Sequence, residues 1–498
     1  MKIRRLLPVV LILVVGLMNS CAAGGEKSVD EIKKGVISSG VSVHDPSVIK
    51  ADGNYYIFGS HMEAAVSSDL REWQSVASGV NAENKLFDNL FDEEKKAFSY
   101  VGQNNEGGYS VWAPDVVYNK KMGKYVMYFC TTSSFVKSNI CFAVADQVEG
   151  PYHYVDTILY SGFTRKTAVQ TDFLKFKSKA EMLKDYAASE YDHSYWPNCI
   201  DPTVFYDKEG KLWMTYGSWS GGIFLLEINE ETGYPIHPVD NKDTETDSYF
   251  GKKLLGGFHN SIEGPYILYD KTSDYYYLFV SYGSLVSNGG YQIRVFRSRE
   301  VNGTYVDAKG QNMGAVIDHS EYGVKLMGNY TLPSLSVTYL SPGHNSAFID
   351  EDGKMYVVYH QRFDDKGEYH EPRVHQLFVN QDGWPVAAPF ATVGESLSET
   401  GYKVKEVIGT YYLVNHESDI SNKVPKTLTI KLEKNGTISG SFEGTWSMKK
   451  GSPYMQLSYE GETYKGIFLQ MEDEAGNPVM TFSSVGANNQ CVWGIHYQ

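Results

Sequence analysis

Three carboxylates stand at the openings of similar phrases far apart in this chain. Asp45 opens DPSVIKADGNYYIFGS, Asp201 opens DPTVFYDKEGKLWMTYGS and Glu263 opens EGPYILYDKTSDYYYLFVSYGS. Brought to one pocket, three acids can hydrolyse a glycosidic bond. One carboxylate activates water, and a protonated carboxylic acid protonates the leaving oxygen. The third can raise the acid's pKa by like-charge repulsion. Taken singly, an Asp before Pro is as readily a turn or a strand cap, and Glu263 before Gly264 is no stronger a signal. Their joint occurrence at phrase openings is what favours catalysis.

The phrase itself must position them. Two further copies lack the acid: APDVVYNKKMGKYVMYFC from Ala113 and NSAFIDEDGKMYVVYHQR from Asn345. Each copy reads as a strand, a polar turn and a second strand rich in Tyr, Val and Phe, and each continues into a third and often a fourth strand. The polar turns, at Gly53, Gly123, Gly210, Asp274 and Gly353, lie 64 to 87 residues apart. That spread suits blades with variable loops better than a solenoid of fixed period. The pattern predicts an all-β chain with a five-bladed β-propeller over 41–398. The first strand of each blade lines the channel, with Asp45, Asp201 and Glu263 around one mouth. Ala113 and Asn345 take the corresponding place in the other two blades. Residues 160–196 break the pattern and contain KSKAEMLKDYAAS, a short helix by its periodicity. They form either an insertion that shapes a binding cleft or a surface decoration. Residues 399–498 lose the phrase and alternate apolar and polar positions, with Asn435-Gly436 as a hairpin turn. They predict a small C-terminal β-barrel-like domain.

Composition narrows the class. The chain has 498 residues, 42% hydrophobic and 14% aromatic, enough to bury a sizeable core. A net charge of −15 without a basic stripe argues against a nucleic-acid partner. Lys2, Arg4 and Arg5 precede an apolar run from Leu6 to Leu17 that is too short to span a bilayer. Cys21 follows, as in the lipid-modified cysteine of bacterial lipoproteins. The expectation is a signal peptide over 1–21, a tether over 22–40, and export to the outer membrane or cell surface, otherwise the periplasm, with a lipid anchor as the only membrane contact. Cys130, Cys141, Cys199 and Cys491 lack metal-ligand spacing. Cys130 and Cys141 could pair across strands but read better as buried thiols.

Over residues 41–395 the motifs resemble glycoside hydrolase family 43. The resemblance rests on Asp45 in VHDPS, Asp201 in NCIDPT and Glu263 in SIEGPY, with WAPD at Trp112–Asp115 and GWP at Gly383–Pro385. It implies Asp45 as general base, Glu263 as general acid, and Asp201 orienting Glu263 and tuning its pKa, in an inverting reaction. Within the family the resemblance is nearest to endo-acting arabinanases, through YYIFGSH, Asn198, GSWSGG and PGHNS. It implies endo-hydrolysis of α-1,5-L-arabinofuranosidic linkages in arabinan; the chain is expected to be a monomer. The alternatives are an exo-acting α-L-arabinofuranosidase or β-xylosidase on the same scaffold, or a non-catalytic glycan-binding propeller. Trp112, Asn198, Ser218 and Trp219 are candidate sugar contacts, with blade packing as the plainer alternative. The resemblance also implies a calcium ion in the channel, with His344 among its ligands and water filling the rest. One His is an odd calcium ligand set, and a neutral His in the channel wall competes with it. Arg373 could reach the channel or pair with an acid elsewhere.

Overall fold

A computed structural model of the protein describes residues 31–94 and 96–498. The expected signal peptide, Cys21 and the first part of the expected tether lie outside the described residues. No described helix is long and apolar enough to cross a membrane.

Each copy of the phrase folds as an antiparallel hairpin, and each hairpin recruits further strands from the sequence that follows. Blade one is Ser47–Ala51, Asn54–Gly59, Glu63–Ser67 and Gln74–Ala77 in that order. Blade two runs from Ser110–Asn119 out to His153–Tyr160, blade four from Ile262–Asp270 to Val324–Met327, and blade five from Tyr339–Ile349 to Pro385–Ala387. Blade three begins at Thr203–Tyr206 and carries short additional strands at its outer edge. The first strand of every blade touches those of both neighbours, and the first strand of blade five returns to that of blade one, so the ring is closed. Side-chain links reinforce this last joint. Ser346 Oγ donates to the Pro46 carbonyl at 2.8 Å, and Lys50 Nζ reaches Asp350 at 2.5 Å. The propeller is the architecture that the five phrases predict.

The insertion is not a surface decoration. Phe163, Ala168 and Phe173 are fully buried in the core shared by blades one to three. The expected helix is shorter and less regular than its periodicity implies. Ser178 caps one turn at Lys179–Glu181, which widens into a π-turn at Met182–Tyr186. Cys130 and Cys141 are buried free thiols, as expected.

Eight strands, from Gly409–Asn415 to Cys491–Tyr497, close into a barrel when the last pairs with the first. Inward positions carry the apolar half of the alternation, including Leu413, Leu457, Phe468 and Phe482. The barrel docks on the propeller through buried polar contacts. The buried Arg294 guanidinium donates to the carbonyls of Ser418, Asp419, Ser320 and Tyr322. The span 22–40, expected as a tether, does not run free over its described part. Lys33 pairs with Asn477, Ile37 N–H donates to Glu474 and Ser39 N–H to Glu371, while Ile32 is buried in the seam between propeller and barrel. The small polar side chains suggested a linker, but the backbone found acceptors supplied by distant acids. Arg373 does not reach the channel; its guanidinium is buried on Glu371 and the Ile37 carbonyl in this same seam.

The docking face also predicts a pH response. His416 is wholly buried, with the Gly328 N–H donating to its Nδ1 at 3.3 Å. Burial, assisted by Lys325, pushes its pKa down to about 3. In the unfolded chain a histidine titrates near about 6.5. Below that pH the unfolded chain therefore binds a proton that the folded chain refuses, and stability falls as pH falls. The loss at pH 5 from this group is about 2 kcal/mol. Denaturant titrations at pH 7 and 5 should show it, with a flatter dependence in His416→Gln. Equal pH dependence in the two proteins would remove His416 as the cause.

Candidate active site

The blade openings share a backbone feature that brings the site together. Asp45, Ala113, Asp201, Gly264 and His344 all adopt left-handed φ, at 54°, 42°, 56°, 56° and 46°. This conformation is unfavourable for residues with a Cβ, and strain of this kind clusters at functional sites. In blades two, four and five a register irregularity accompanies it, as expected of a bulge that re-aims a side chain. The structure thus corrects the equivalence drawn from sequence. In blade four the position matching Asp45 is Gly264, with Glu263 one residue earlier, and in blade five it is His344, not Asn345. Gly264 is needed in its place, because a Cβ there would sit 3.0 Å from Cγ of His344.

The three acids meet in a pocket of roughly 280 Å³ lined by His44, Asp45, His61, Trp112, Asp201, Glu263 and His344, among others. Asp45 is almost enclosed. One oxygen faces His44 Nδ1 at 3.0 Å and receives the Ser60 hydroxyl; the other faces His344 Nδ1 at 3.1 Å. Burial alone would raise its pKa, but His344 and His44 hold it well below the usual carboxylate range. Asp201 accepts the Gly264 N–H at 3.1 Å, which ties it to the backbone beside Glu263. Burial pushes Asp201 up to about 7; His344 opposes the shift, and Glu263 and Asp45 add to it. Glu263 is gripped at both oxygens. Ser218 Oγ donates to Oε2 at 3.0 Å, Trp219 Nε1 to Oε2 at 2.9 Å, and Tyr291 OH to Oε1 at 2.8 Å. The Tyr291 ring lies flat on Gly343, where a Cβ would approach to 2.2 Å.

The pocket opens sideways. His61 and Trp112 also line a groove of roughly 800 Å³ that extends past Asn104, Ser133, Phe135 and Asn198. Residues 160–196 supply no wall to either cavity. Asn198 therefore belongs to the groove rather than to the acid pocket, and its Oδ1 accepts from Ser161 at 3.3 Å. Ser218 and Trp219, expected as sugar contacts, bond to Glu263 itself.

Residues 35–166 and 186–385 match the sequence profile of glycosyl hydrolases family 43. The chain belongs to that family. Residues 389–494 match a C-terminal lipocalin-like domain associated with family 43 members. An extracellular endo-α-(1→5)-L-arabinanase 2 of Bacillus subtilis is 43% identical over 471 residues, spanning 91% of this chain and 92% of its own. An extracellular endo-α-(1→5)-L-arabinanase of Thermotoga petrophila is 39% identical over 473 residues, spanning 92% of this chain and 94% of its own. The crystal structure of an endo-1,5-α-L-arabinanase from Thermotoga petrophila superposes with a TM-score of 0.81 at 38% identity, covering 94% of this chain and 100% of that one.

As a family 43 member, this chain carries site residues that its motifs left unmarked. Tyr291 and Ser60 position two of the acids, yet Tyr291 just precedes the third strand of blade four and reaches Glu263 with its ring over Gly343 of blade five. His44 sits inside the HDPS motif, and its ring stacks on that of His360 at 4.4 Å. His344, where the resemblance implies a calcium ion, faces Asp45 at 3.1 Å. Burial disfavours its cation, yet Asp45, Asp201 and Glu263 push its pKa up to about 9. A different set surrounds Asp45: ligand atoms of His44, Asp45 and His360 lie within 4.8 Å of one another. Nε2 of both histidines is buried without a hydrogen-bond partner. Asp115 of WAPD and Trp384 of GWP are structural. Asp115 receives the Ser47 hydroxyl and the Val204 N–H, joining three blades, and Trp384 is buried against the Arg297 guanidinium.

Proposed function

We propose that the protein is an endo-acting arabinanase that cleaves α-1,5-L-arabinofuranosidic linkages by single displacement with inversion. The observation that carries this reading is the acid pocket opening into a long lateral groove that the insertion leaves clear. A chain seated over the acids can run on along this groove past Trp112 and Asn198, whereas an exo enzyme needs a mouth closed at one end. The named activities of the relatives agree.

In the proposed mechanism Asp45 is the general base. Ser60, His44 and His344 fix its carboxylate and aim it into the pocket, where it takes a proton from the attacking water. Glu263 is the general acid. Its Oε2 is occupied by two donors, which leaves Oε1, opposite the Tyr291 hydroxyl, to carry the proton to the leaving oxygen. Tyr291 can reverse its hydrogen bond, donating to the ionised acid and accepting from the protonated one. Asp201 holds the Gly264 amide and so sets the position of Glu263. Inversion requires about 6.5–9.5 Å between base and acid, enough for a water molecule. Trp112 and Asn198 line the path of the chain and would contact its sugars.

For the channel ion we propose His44, Asp45 and His360 as the residues that would hold it; two imidazoles and one carboxylate suit a transition-metal ion better than the calcium that the resemblance implies. The ion would supply positive charge beside the base. Elemental analysis of the purified parent and of His360→Ala checks this, and equal metal content in both would refute it. Export and a lipid anchor at Cys21 remain part of the proposal, supported by the N-terminal sequence and by relatives named extracellular. The substrate is tested by reducing-sugar release from linear arabinan, branched arabinan and xylan. The reading expects linear arabinan to be preferred, and xylan turned over fastest would reject it.

A further inference from the structure

We propose a second, non-catalytic carbohydrate site in the cavity between the insertion and blade three, which holds another stretch of the same neutral furanose chain. The choice of ligand rests on the arabinanase reading above. The cavity measures roughly 730 Å³, and Tyr186, Tyr195, Trp196, Lys253 and Phe258 stand on its walls. It shares no lining residue with the acid pocket or its groove.

Lys253 points to a ligand. It is only 7% exposed, and among the described residues its ammonium has no hydrogen-bond acceptor and no carboxylate at ion-pair distance, Glu245 acting on it from farther off. The ring of Tyr195 lies beside it, with Nζ 4.8 Å from the centroid, and Gly257 packs against the ammonium. Burial pulls its pKa down. An ammonium has three donors and no acceptor, and here the buried stem delivers them to the open cavity without a protein acceptor. The other buried lysine of this cavity shows the usual solution: Lys177 pairs with Asp240 at 2.6 Å and with Asp247 at 3.0 Å. Lys253 instead leaves its donors available for the ring and hydroxyl oxygens of a sugar.

Two large rings are exposed beside it. Tyr195 is 46% exposed and Phe258 61% exposed, an unusual pair of open aromatic faces on a concave surface. Aromatic faces with a few convergent polar groups are the ordinary means of holding a carbohydrate. The lining carries four lysines against six carboxylates. That acidic balance disfavours a uronate and favours a neutral polyol.

The location suits a long chain. The Phe258 N–H donates to the Ser194 carbonyl at 2.9 Å. The next ring, His259, lies 5.2 Å from that of Trp219, whose indole donates to Glu263. The cavity thus sits one ridge of rings away from the acids. A polymer bound there would be retained near the catalytic groove between cleavages.

The test is affinity electrophoresis of the full chain in a Glu263→Gln background, which prevents digestion of the gel. Gels contain debranched arabinan or polygalacturonate. Lys253→Met and Tyr195→Ala, confirmed as folded by thermal melting, should each weaken retardation by arabinan about fivefold. Polygalacturonate should retard none of the proteins. Retardation by arabinan that is unchanged in both variants overturns the second site, as does retardation by polygalacturonate that Lys253→Met abolishes. An otherwise unmutated protein that cleaves arabinan while the variants show no loss of binding refutes this site alone. One that neither cleaves nor binds arabinan refutes the arabinanase reading with it.

Discussion

Glu263→Gln is expected to lower kcat on linear arabinan about a thousandfold while leaving KM within a few fold, because general acid catalysis contributes about 10²–10⁴. The amide keeps the shape and can still meet Ser218, Trp219 and Tyr291, so the loss would be one of proton donation and not of folding. Leaving-group chemistry provides a sharper signature. An aryl arabinobioside with an acidic phenol needs little protonation as it departs, so the variant should be far less impaired on it than on arabinan. An equal defect on both substrates would mean that Glu263 does not protonate the leaving oxygen. Undiminished activity on arabinan would remove it from the mechanism altogether.

Asp45→Asn is expected to cost a comparable factor of about 10²–10⁴, with the opposite substrate pattern. A better leaving group cannot replace activation of the water, so the arabinan and aryl arabinobioside activities should fall together. The substitution also breaks a charge arrangement. His344 owes its raised pKa chiefly to the three acids, with Asp45 the largest contributor, and it packs against Gly264. Some loss of thermal stability is therefore expected along with the loss of kcat. Selective retention of activity on the aryl substrate would move the base role to another residue.

The sequence revealed the propeller because its signal is local. Each phrase contains both strands of a hairpin and the turn between them, and five copies imply five blades. The barrel was legible for the same reason, through alternation and the Asn435-Gly436 turn. The pocket was legible at Asp45, Asp201 and Glu263, but the equivalence of the blades was misread by one residue in blades four and five. The acids were aligned with one another, whereas the backbone aligns the left-handed positions, where Gly264 and His344 stand. The proline after Asp45, Ala113, Asp201 and Gly264 held that frame, and blade five hid it by lacking one. The supports of the acids were not legible at all. Tyr291 reaches Glu263 only because Gly343, from another blade, leaves room for its ring, and no local pattern encodes that contact. The docking of residues 31–40 was not legible because their small side chains say nothing of acceptors more than 300 residues away, at Glu371 and Glu474.

The central claim is that a chain lies through an open groove across the three acids and is cut internally. The most direct test is the size distribution of the earliest products from linear 1,5-arabinan, resolved by chromatography within the first few per cent of hydrolysis. The structure predicts a mixture of oligosaccharides with little free arabinose and a rapid fall in polymer length. Arabinose as the sole product from the first time point, with polymer length almost unchanged, would contradict it.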